Sequence, residues 1–249
     1  MKISESKIIV TGAGNGIGKQ LCLNLSLLGS TVIGIDKSER DLTYLKEENS
    51  NIKTKVCDIS DGKSVEEIIS SIFKEDKDIN IVINNAGVMF SQPLVKIEKG
   101  EVVIHDFSEW EKVISTNLSG YFYVTSSSVK HMIDNRTKGL IINMSSISAR
   151  GNAGQSAYAA SKSGVEALTK TWAKELGPLG FRSVAIAPGF IDTQGTHLAI
   201  EEKTINNWIK QVPLQRLGKT EEVIKAIIMC IENDFMNGKV LSLDGGLIF

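Results

Sequence analysis

The sequence predicts an α/β protein: one doubly wound domain in which helices cover both faces of a parallel sheet. Short continuous apolar runs alternate with amphipathic segments from end to end, and a glycine-rich turn joins the first run to the first helix. A length of 249 residues suits one large α/β domain, and no repeat, low-complexity tract or linker marks off a second. Hydrophobic residues make up 42% of the chain, enough for a large core, which excludes a disordered reading.

The first strand is read over Lys7 to Val10, with a helix following over Ile17 to Leu28. Between them lies Thr11-Gly12-Ala13-Gly14-Asn15-Gly16-Ile17-Gly18. Glycines there let the backbone turn tightly and approach a pyrophosphate at the positive helix N-terminus. Ile17 stands where the third glycine of a G-x-G-x-x-G pattern would be, so the spacing is Gly-x-x-x-Gly-x-Gly, built from Gly12, Gly16 and Gly18. Taken alone, the segment also reads as a βα turn without a ligand.

The second strand, Thr31 to Ile35, ends on Asp36. An acid at that place accepts both ribose hydroxyls of NAD and repels the 2′-phosphate of NADP. Asn15 is neutral where a basic residue would help bind NADP, while Lys37 is a dissenting signal. NAD is therefore predicted over NADP. Thr54 to Cys57 reads as the third strand, closed by Asp58, and Ser64 to Phe73 as a helix. Ile79 to Ile83 is the fourth strand, closed by Asn84-Asn85-Ala86-Gly87. Both closures fall at the carboxyl edge of the sheet, where open α/β folds bind ligands; capping and turn formation are the alternative roles for such Asp and Asn residues.

An insertion near 92–106 contains Leu94 to Ile104, read as a hairpin turning at Lys99-Gly100. A helical segment over Ser108 to Ile133 precedes the strand Leu140 to Met144. Ser145 follows that strand, and Tyr158 and Lys162 stand four residues apart on the next helix, Tyr158 to Leu176. Residues at i and i+4 share a helix face, and the ammonium is expected to pull the phenol down toward neutral-pH acid/base work. Ser183 to Ile186, Thr220 to Ile231 and Val240 to Leu243 complete the alternation as strand, helix and strand. A substrate lid is expected near 191–213, its part from Gly195 to Val212 carrying Leu198, Ile200, Ile205, Trp208 and Ile209; the same residues also read as the packing stripe of a short helix. Met89, Phe90 and Gln155 are expected to border the pocket below it, with His197 a candidate substrate contact and His105 and His131 surface or packing residues.

A formal net charge of -1 gives no electrostatic case for nucleic acid or an anionic membrane. The sequence has no apolar run near the ~20 residues of a membrane span and no secretory signal at its start. Cys22, Cys57 and Cys230 are scattered and lack metal-ligand spacing, so no metal site is expected and a reducing, cytoplasmic setting is.

Thr11 to Gly18, Asn84 to Gly87, Ser145, Tyr158 with Lys162, and Pro188-Gly189 occur in this order across essentially the whole chain. Together they resemble the short-chain dehydrogenase/reductase family. That resemblance implies a Rossmann-like domain with a seven-stranded parallel sheet and a nicotinamide cofactor across its carboxyl edge. It implies Tyr158 as general acid/base, and Lys162 as the residue that holds the nicotinamide ribose and depresses the tyrosine. Ser145 would orient the carbonyl or alcohol, and Asn117, in Thr116-Asn117-Leu118-Ser119-Gly120, would anchor a water for proton relay. Ser146 is a rival, but the thirteen-residue offset from Tyr158 matches the family for Ser145. Pro188, Gly189, Ile191 and Thr193 resemble the loop that orients the nicotinamide carboxamide. Asp58 and Ile59 resemble the pair flanking adenine, and Asn85, Ala86 and Gly87 the wall beside the adenosine ribose.

The implied activity is NAD-dependent interconversion of a secondary alcohol and a ketone by a homotetramer, with a small-molecule substrate. The tetramer would form through the helices containing Asn117 and Tyr158 and through the C-terminal strand, where Leu247-Ile248-Phe249 suits burial. The hairpin resembles the 3-hydroxyacyl-CoA and hydroxysteroid dehydrogenase branch, which makes a 3-hydroxyacyl or similarly apolar substrate the preferred subclass. The alternative is a 3-oxoacyl carrier protein reductase, which Gly151 to Gln155 and Pro188 to Thr193 resemble; those enzymes usually take NADPH, which Asp36 disfavours. A non-catalytic dinucleotide-binding regulator is a third reading, opposed by the intact Asn117, Ser145, Tyr158 and Lys162.

Overall fold

Seven strands form one sheet in which every neighbour is parallel, as the alternation predicts. The computed structural model describes residues 1–193 and 201–247. Along the chain run β1 (Lys7–Thr11), α1 (Gly16–Leu27), β2 (Thr31–Asp36), α2 (Glu39–Glu48), β3 (Lys53–Val56), α3 (Gly62–Glu75) and β4 (Ile81–Asn84). A two-stranded hairpin of β5 (Val95–Glu98) and β6 (Glu101–Ile104) follows, then α4 (Phe107–Ile114) and α5 (Gly120–Asp134). The second half holds β7 (Leu140–Met144), α6 (Ser156–Leu176), β8 (Arg182–Pro188), β9 (Ile191–Asp192), α7 (Glu202–Gln211), β10 (Gly218–Lys219), α8 (Thr220–Glu232) and β11 (Val240–Leu243). The sheet order is β11-β8-β7-β4-β1-β2-β3, so β1 and β4 lie side by side at the crossover of a doubly wound fold.

Strand residues alternate between two cores because successive side chains point to opposite faces. Ile8 and Val10 of β1 join Leu21 and Leu25 of α1 and Ile227 of α8 on one face. Ile9 joins Val65 and Ile69 of α3, Val124 of α5 and Trp172 of α6 on the other. A polar thread crosses this second layer: Asn84 Nδ2 donates to Thr125 Oγ1 (2.9 Å) and to Asn143 Oδ1 (2.8 Å). Asn143 Nδ2 in turn donates to Thr169 Oγ1 at 2.9 Å.

Two features depart from the sequence reading, while the hairpin follows it. The helix α2 was not read from the sequence: Ser38 caps it by accepting from Asp41 N at 3.3 Å, but only Leu42 and Leu45 are buried on an otherwise polar element. The segment read as one helix over Ser108 to Ile133 contains a π-helical turn, Ser115–Ser119, between α4 and α5. Such turns are common at functional sites. The hairpin turns at Lys99 (φ 52°) and Gly100 (φ 85°), the paired positive φ values of a tight hairpin turn. Its cross-strand pairs Val95/Ile104 and Ile97/Val102 share one face, and all four side chains are exposed.

Within the lid segment, Ile205 is buried and Trp208 stacks on Phe190 with ring centroids 4.5 Å apart, so part of that apolar stripe is packing. Gly195, His197, Leu198 and Ile200 lie outside the described residues, as do Ile248 and Phe249. Leu247 is buried within the single chain. Phe107, Trp110 and Phe122, on α4 and α5, are exposed in that chain. Among the described residues, no helix is long and apolar enough to cross a membrane, and no group of three or more His, Cys, Asp or Glu is placed to hold a metal.

Candidate active site

The glycine turn follows β1 at the carboxyl edge of the sheet, and its shape is fixed by close backbone approach. A Cβ at Gly12 would come within 2.6 Å of Ala86 Cα, and Gly12 has φ +68°. A Cβ at Gly18 would overlap the Gly12 carbonyl oxygen and come within 2.5 Å of Asn85 Nδ2. Asn85 Nδ2 binds the turn directly, donating to Thr11 O (3.0 Å) and Gly12 O (3.2 Å). Thr11 Oγ1 returns the link by accepting from Asn85 N and Ala86 N at 3.0 and 3.1 Å. Thr11 had no role in the sequence reading, yet it ties the end of β4 to the turn.

A cleft of about 400 Å³ opens over this turn. Its lining brings together Gly12, Asn15 to Gly18, Asp36, Lys37, Asp58, Ile59, Asn85 to Gly87 and Thr193. These are the residues predicted to hold the nucleotide, apart from the loop residues Pro188, Gly189 and Ile191 and the pair Tyr158 and Lys162. The Asn15 side chain makes no capping hydrogen bond to α1, so the backbone amides at the positive end of that helix carry no side-chain cap. Asp36 is held rigidly: Oδ2 accepts from Gly14 N at 2.9 Å and Oδ1 from Ser38 N at 3.0 Å. Asp58 combines both roles considered for it, lining the cleft while its Oδ1 accepts from Ser60 N and Ser60 Oγ. The glycine cradle, the helix terminus and the ribose-level carboxylate fit a dinucleotide.

A second cavity of about 280 Å³ adjoins the first and shares Ile17, Asn85, Gly87, Val88 and Thr193 with it. Tyr158, Lys162, Ser145, Ser146, Pro188, Gly189 and Ile191 line it. Met89 lines it too, and Gln155 Nε2 donates to Met89 Sδ at 3.4 Å. Phe90 instead packs edge-on against the buried His105. Lys162 is buried, and its Nζ donates to Met144 O at 2.7 Å and to Tyr121 Oη at 3.4 Å. Nζ also sits 5.6 Å from the centre of the Tyr158 ring.

The electrostatics differ from the expectation that the ammonium dominates. Burial pushes Tyr158 up, and among the described residues the Ser146 hydroxyl works against it. Burial also pulls Lys162 down to about 7. Desolvation penalises the charged form of both groups, so the site holds a protonated phenol beside an ammonium poised near neutrality.

The two serines at the end of β7 are held differently. Ser145 lines the cavity but is buried, and its Oγ donates to Glu166 Oε1 at 2.9 Å and to Lys162 O at 3.4 Å. Ser146, next along an extended backbone, lines the same cavity, and its hydroxyl is the one that lowers the Tyr158 phenol. Counting back from Tyr158 presumes a fixed length for the intervening 3₁₀ turn (Ile147–Arg150) and loop, which this chain need not keep. Asn117 is fully buried in the π turn, and its side chain clamps Val88 from both sides: Oδ1 accepts from Val88 N (2.9 Å) and Nδ2 donates to Val88 O (2.8 Å). Its amide holds the cavity wall rather than facing the cavity.

The sequence model described as short chain dehydrogenase matches residues 6–204. The chain belongs to the short-chain dehydrogenase family. As a member it is an oxidoreductase acting on CH–OH groups with a nicotinamide dinucleotide. It is 36% identical over 255 residues to the 3-oxoacyl-[acyl-carrier-protein] reductase FabG of Thermotoga maritima, covering all of both chains. The corresponding reductase of Chlamydia trachomatis is 34% identical over 247 residues, covering 96% of each. Among solved structures, a short chain dehydrogenase from Bacillus anthracis superposes with a TM-score of 0.88 at 30% identity, covering 99% of this chain and 98% of that one.

Proposed function

We propose that this chain reduces 3-oxoacyl thioesters, with the acyl group borne on a carrier protein. The observation that carries the reading is the likeness to 3-oxoacyl carrier protein reductases, which extends over the whole length of the chain. The electrostatics support the reductive direction, because a phenol kept protonated by burial is a donor at neutral pH. A bound dinucleotide supplies the hydride; the protein supplies orientation and the proton. Tyr158 gives its proton to the substrate oxygen, the Ser146 hydroxyl holds that oxygen, and Lys162 offsets the charge left on the phenol. This assigns to Ser146 the orienting role expected of Ser145, while Asn117 is a positioning residue acting through Val88.

Asp36 favours NADH as the donor, since its carboxylate is pinned by two backbone amides and cannot swing away from a 2′-phosphate. The same residue supports the second reading, an NAD-linked 3-hydroxyacyl-CoA dehydrogenase, because the two substrates share one reacting group. The experiment is to follow oxidation of NADH and NADPH, side by side, with acetoacetyl carrier protein and acetoacetyl-CoA. Turnover of the carrier-protein substrate with NADH at least about tenfold above NADPH is the expected result. Preference for NADPH would overturn the cofactor reading, equal or better turnover of the CoA thioester would move the second reading to first place, and no turnover of either thioester would overturn both.

The serines give a sharper check within the same assay. Ser146→Ala is expected to lower kcat by about 10- to 100-fold, the order of a lost hydrogen bond to developing charge. Ser145→Ala should keep kcat within about threefold and act on thermal stability, because it frees Glu166 from a buried partner. The reverse ranking of the two variants would restore Ser145 to the orienting role.

A further inference from the structure

Resting on that reading of Lys162 and Tyr158, the geometry points to Tyr121 as a positioning residue whose hydroxyl holds the Lys162 ammonium in place. Tyr121 is the residue after Gly120 at the start of α5, and it is fully buried. Gly120 lets the helix approach the cleft wall closely; a Cβ there would come within 2.8 Å of Ile59 Cδ1. The phenol hydroxyl meets Lys162 of α6. Lys162 Nζ donates to Tyr121 Oη (3.4 Å), Tyr121 Oη donates to Met144 O (3.4 Å), and Nζ donates to the same carbonyl (2.7 Å). The three atoms form a closed triangle. The ammonium also lies 5.2 Å from the Tyr121 ring centre and 5.6 Å from that of Tyr158, between two aromatic rings.

An ammonium has three donors. The triangle takes two of them, which leaves the third for the cavity side, where Tyr158 stands. Without the Tyr121 hydroxyl, a second donor would be unpaired in a closed site, and the charged form would be disfavoured further. Burial is the displacement's cause among the described residues, with no carboxylate contributing. The titratable groups that face Lys162 are Tyr121 from α5 and Tyr158 from its own helix, while Glu166 one turn on is engaged by Ser145. Burial keeps Tyr121 itself a neutral phenol at every working pH. Its role is to hold the lysine rather than to exchange protons.

The test is Tyr121→Phe, which keeps the ring and removes the hydroxyl. In protein labelled with ¹³C at lysine Cε, one resonance should titrate near 7 and be missing from Lys162→Met. In Tyr121→Phe its midpoint should fall by about one unit, a tenfold change in the ionisation equilibrium. The alkaline limb of kcat/KM, set by loss of the Lys162 charge as pH rises through its pKa, should move to lower pH by the same amount. A folded Tyr121→Phe protein with neither midpoint moved would overturn the proposal, since a purely packing role predicts that result. A second measurement uses wild-type protein labelled at tyrosine Cζ, which carries only four signals. Tyr121, assigned by elimination with Tyr44→Phe, Tyr123→Phe and Tyr158→Phe, should shift with the lysine midpoint; a flat signal would equally sink the contact. Both resonance readouts need no substrate. Absence of oxoacyl turnover would therefore count against the functional reading alone.

Discussion

Replacing Tyr158 by Phe is expected to lower kcat by about 10²- to 10⁴-fold, the range supplied by a positioned general acid. The ring would still fill its place beside Lys162, so the cleft over the glycine turn should be unchanged and the dissociation constant for NADH should stay within about threefold. Steady-state turnover and a fluorescence titration of NADH, on one preparation, separate these effects. Retention of more than about a tenth of wild-type kcat would show that another group donates the proton. Loss of NADH binding in step with turnover would show that Tyr158 acts through the cleft and not at the substrate oxygen. A regulator that had kept the fold without the chemistry would bind NADH equally well in both proteins and turn over in neither.

The second large effect is expected at Gly18. Its φ is ordinary, so the constraint is space: a Cβ would overlap the Gly12 carbonyl and crowd Asn85 Nδ2. Both are part of the turn itself, held by the Asn85 and Thr11 bonds, and cannot give way without opening it. Gly18→Ala is therefore expected to weaken NADH binding by at least about 100-fold, with an overpacking cost of about 1–3 kcal/mol in thermal unfolding. Gly16 is the control, because it has φ +53° but nothing within 4 Å of a built Cβ. Gly16→Ala should carry a backbone cost of about 1–2 kcal/mol without crowding the turn, so any loss of NADH binding there reports contact with the ligand itself. Equal binding by Gly18→Ala and wild type would mean that the turn is not the pyrophosphate cradle.

Legibility in the sequence followed how locally each feature is determined. Strands β1, β4 and β7 were readable because burial on both faces makes them continuous apolar runs, and the sheet places them where those runs predict. The helix α2 was not, because a helix that buries Leu42 and Leu45 alone carries too little periodicity to stand out. The residues that line the cleft over the glycine turn were legible because glycine spacing is a backbone requirement, and backbone requirements are written in the residues themselves. The different partners of Ser145 and Ser146 were not, since they depend on how two adjacent side chains meet α6 once it is docked. Tyr121 escaped for a related reason: a large aromatic on an apolar helix face reads as core, and it is core, with only its hydroxyl engaged at the site. Asn117 was found by its motif, but its clamp on Val88 depends on a π turn that the periodicity did not reveal.

The asparagine pair beneath the site has a consequence for how the sheet chooses its alignment. Strands β4 and β7 are buried throughout, and Ile81-Val82-Ile83 faces Leu140-Ile141-Ile142 in the observed pairing. Where both faces are aliphatic, sliding one strand past the other exchanges like for like, so apolar matching alone ranks the alternatives poorly. Asn84 and Asn143 break that degeneracy. They stand opposite each other only in the observed alignment, with Thr125 and Thr169 waiting at either end of the thread. Any slip strands two amides in hydrocarbon at about 1–3 kcal/mol each. Their value to the fold lies in the misaligned sheets they make costly, and through that alignment Met144 O is delivered to the lysine it holds.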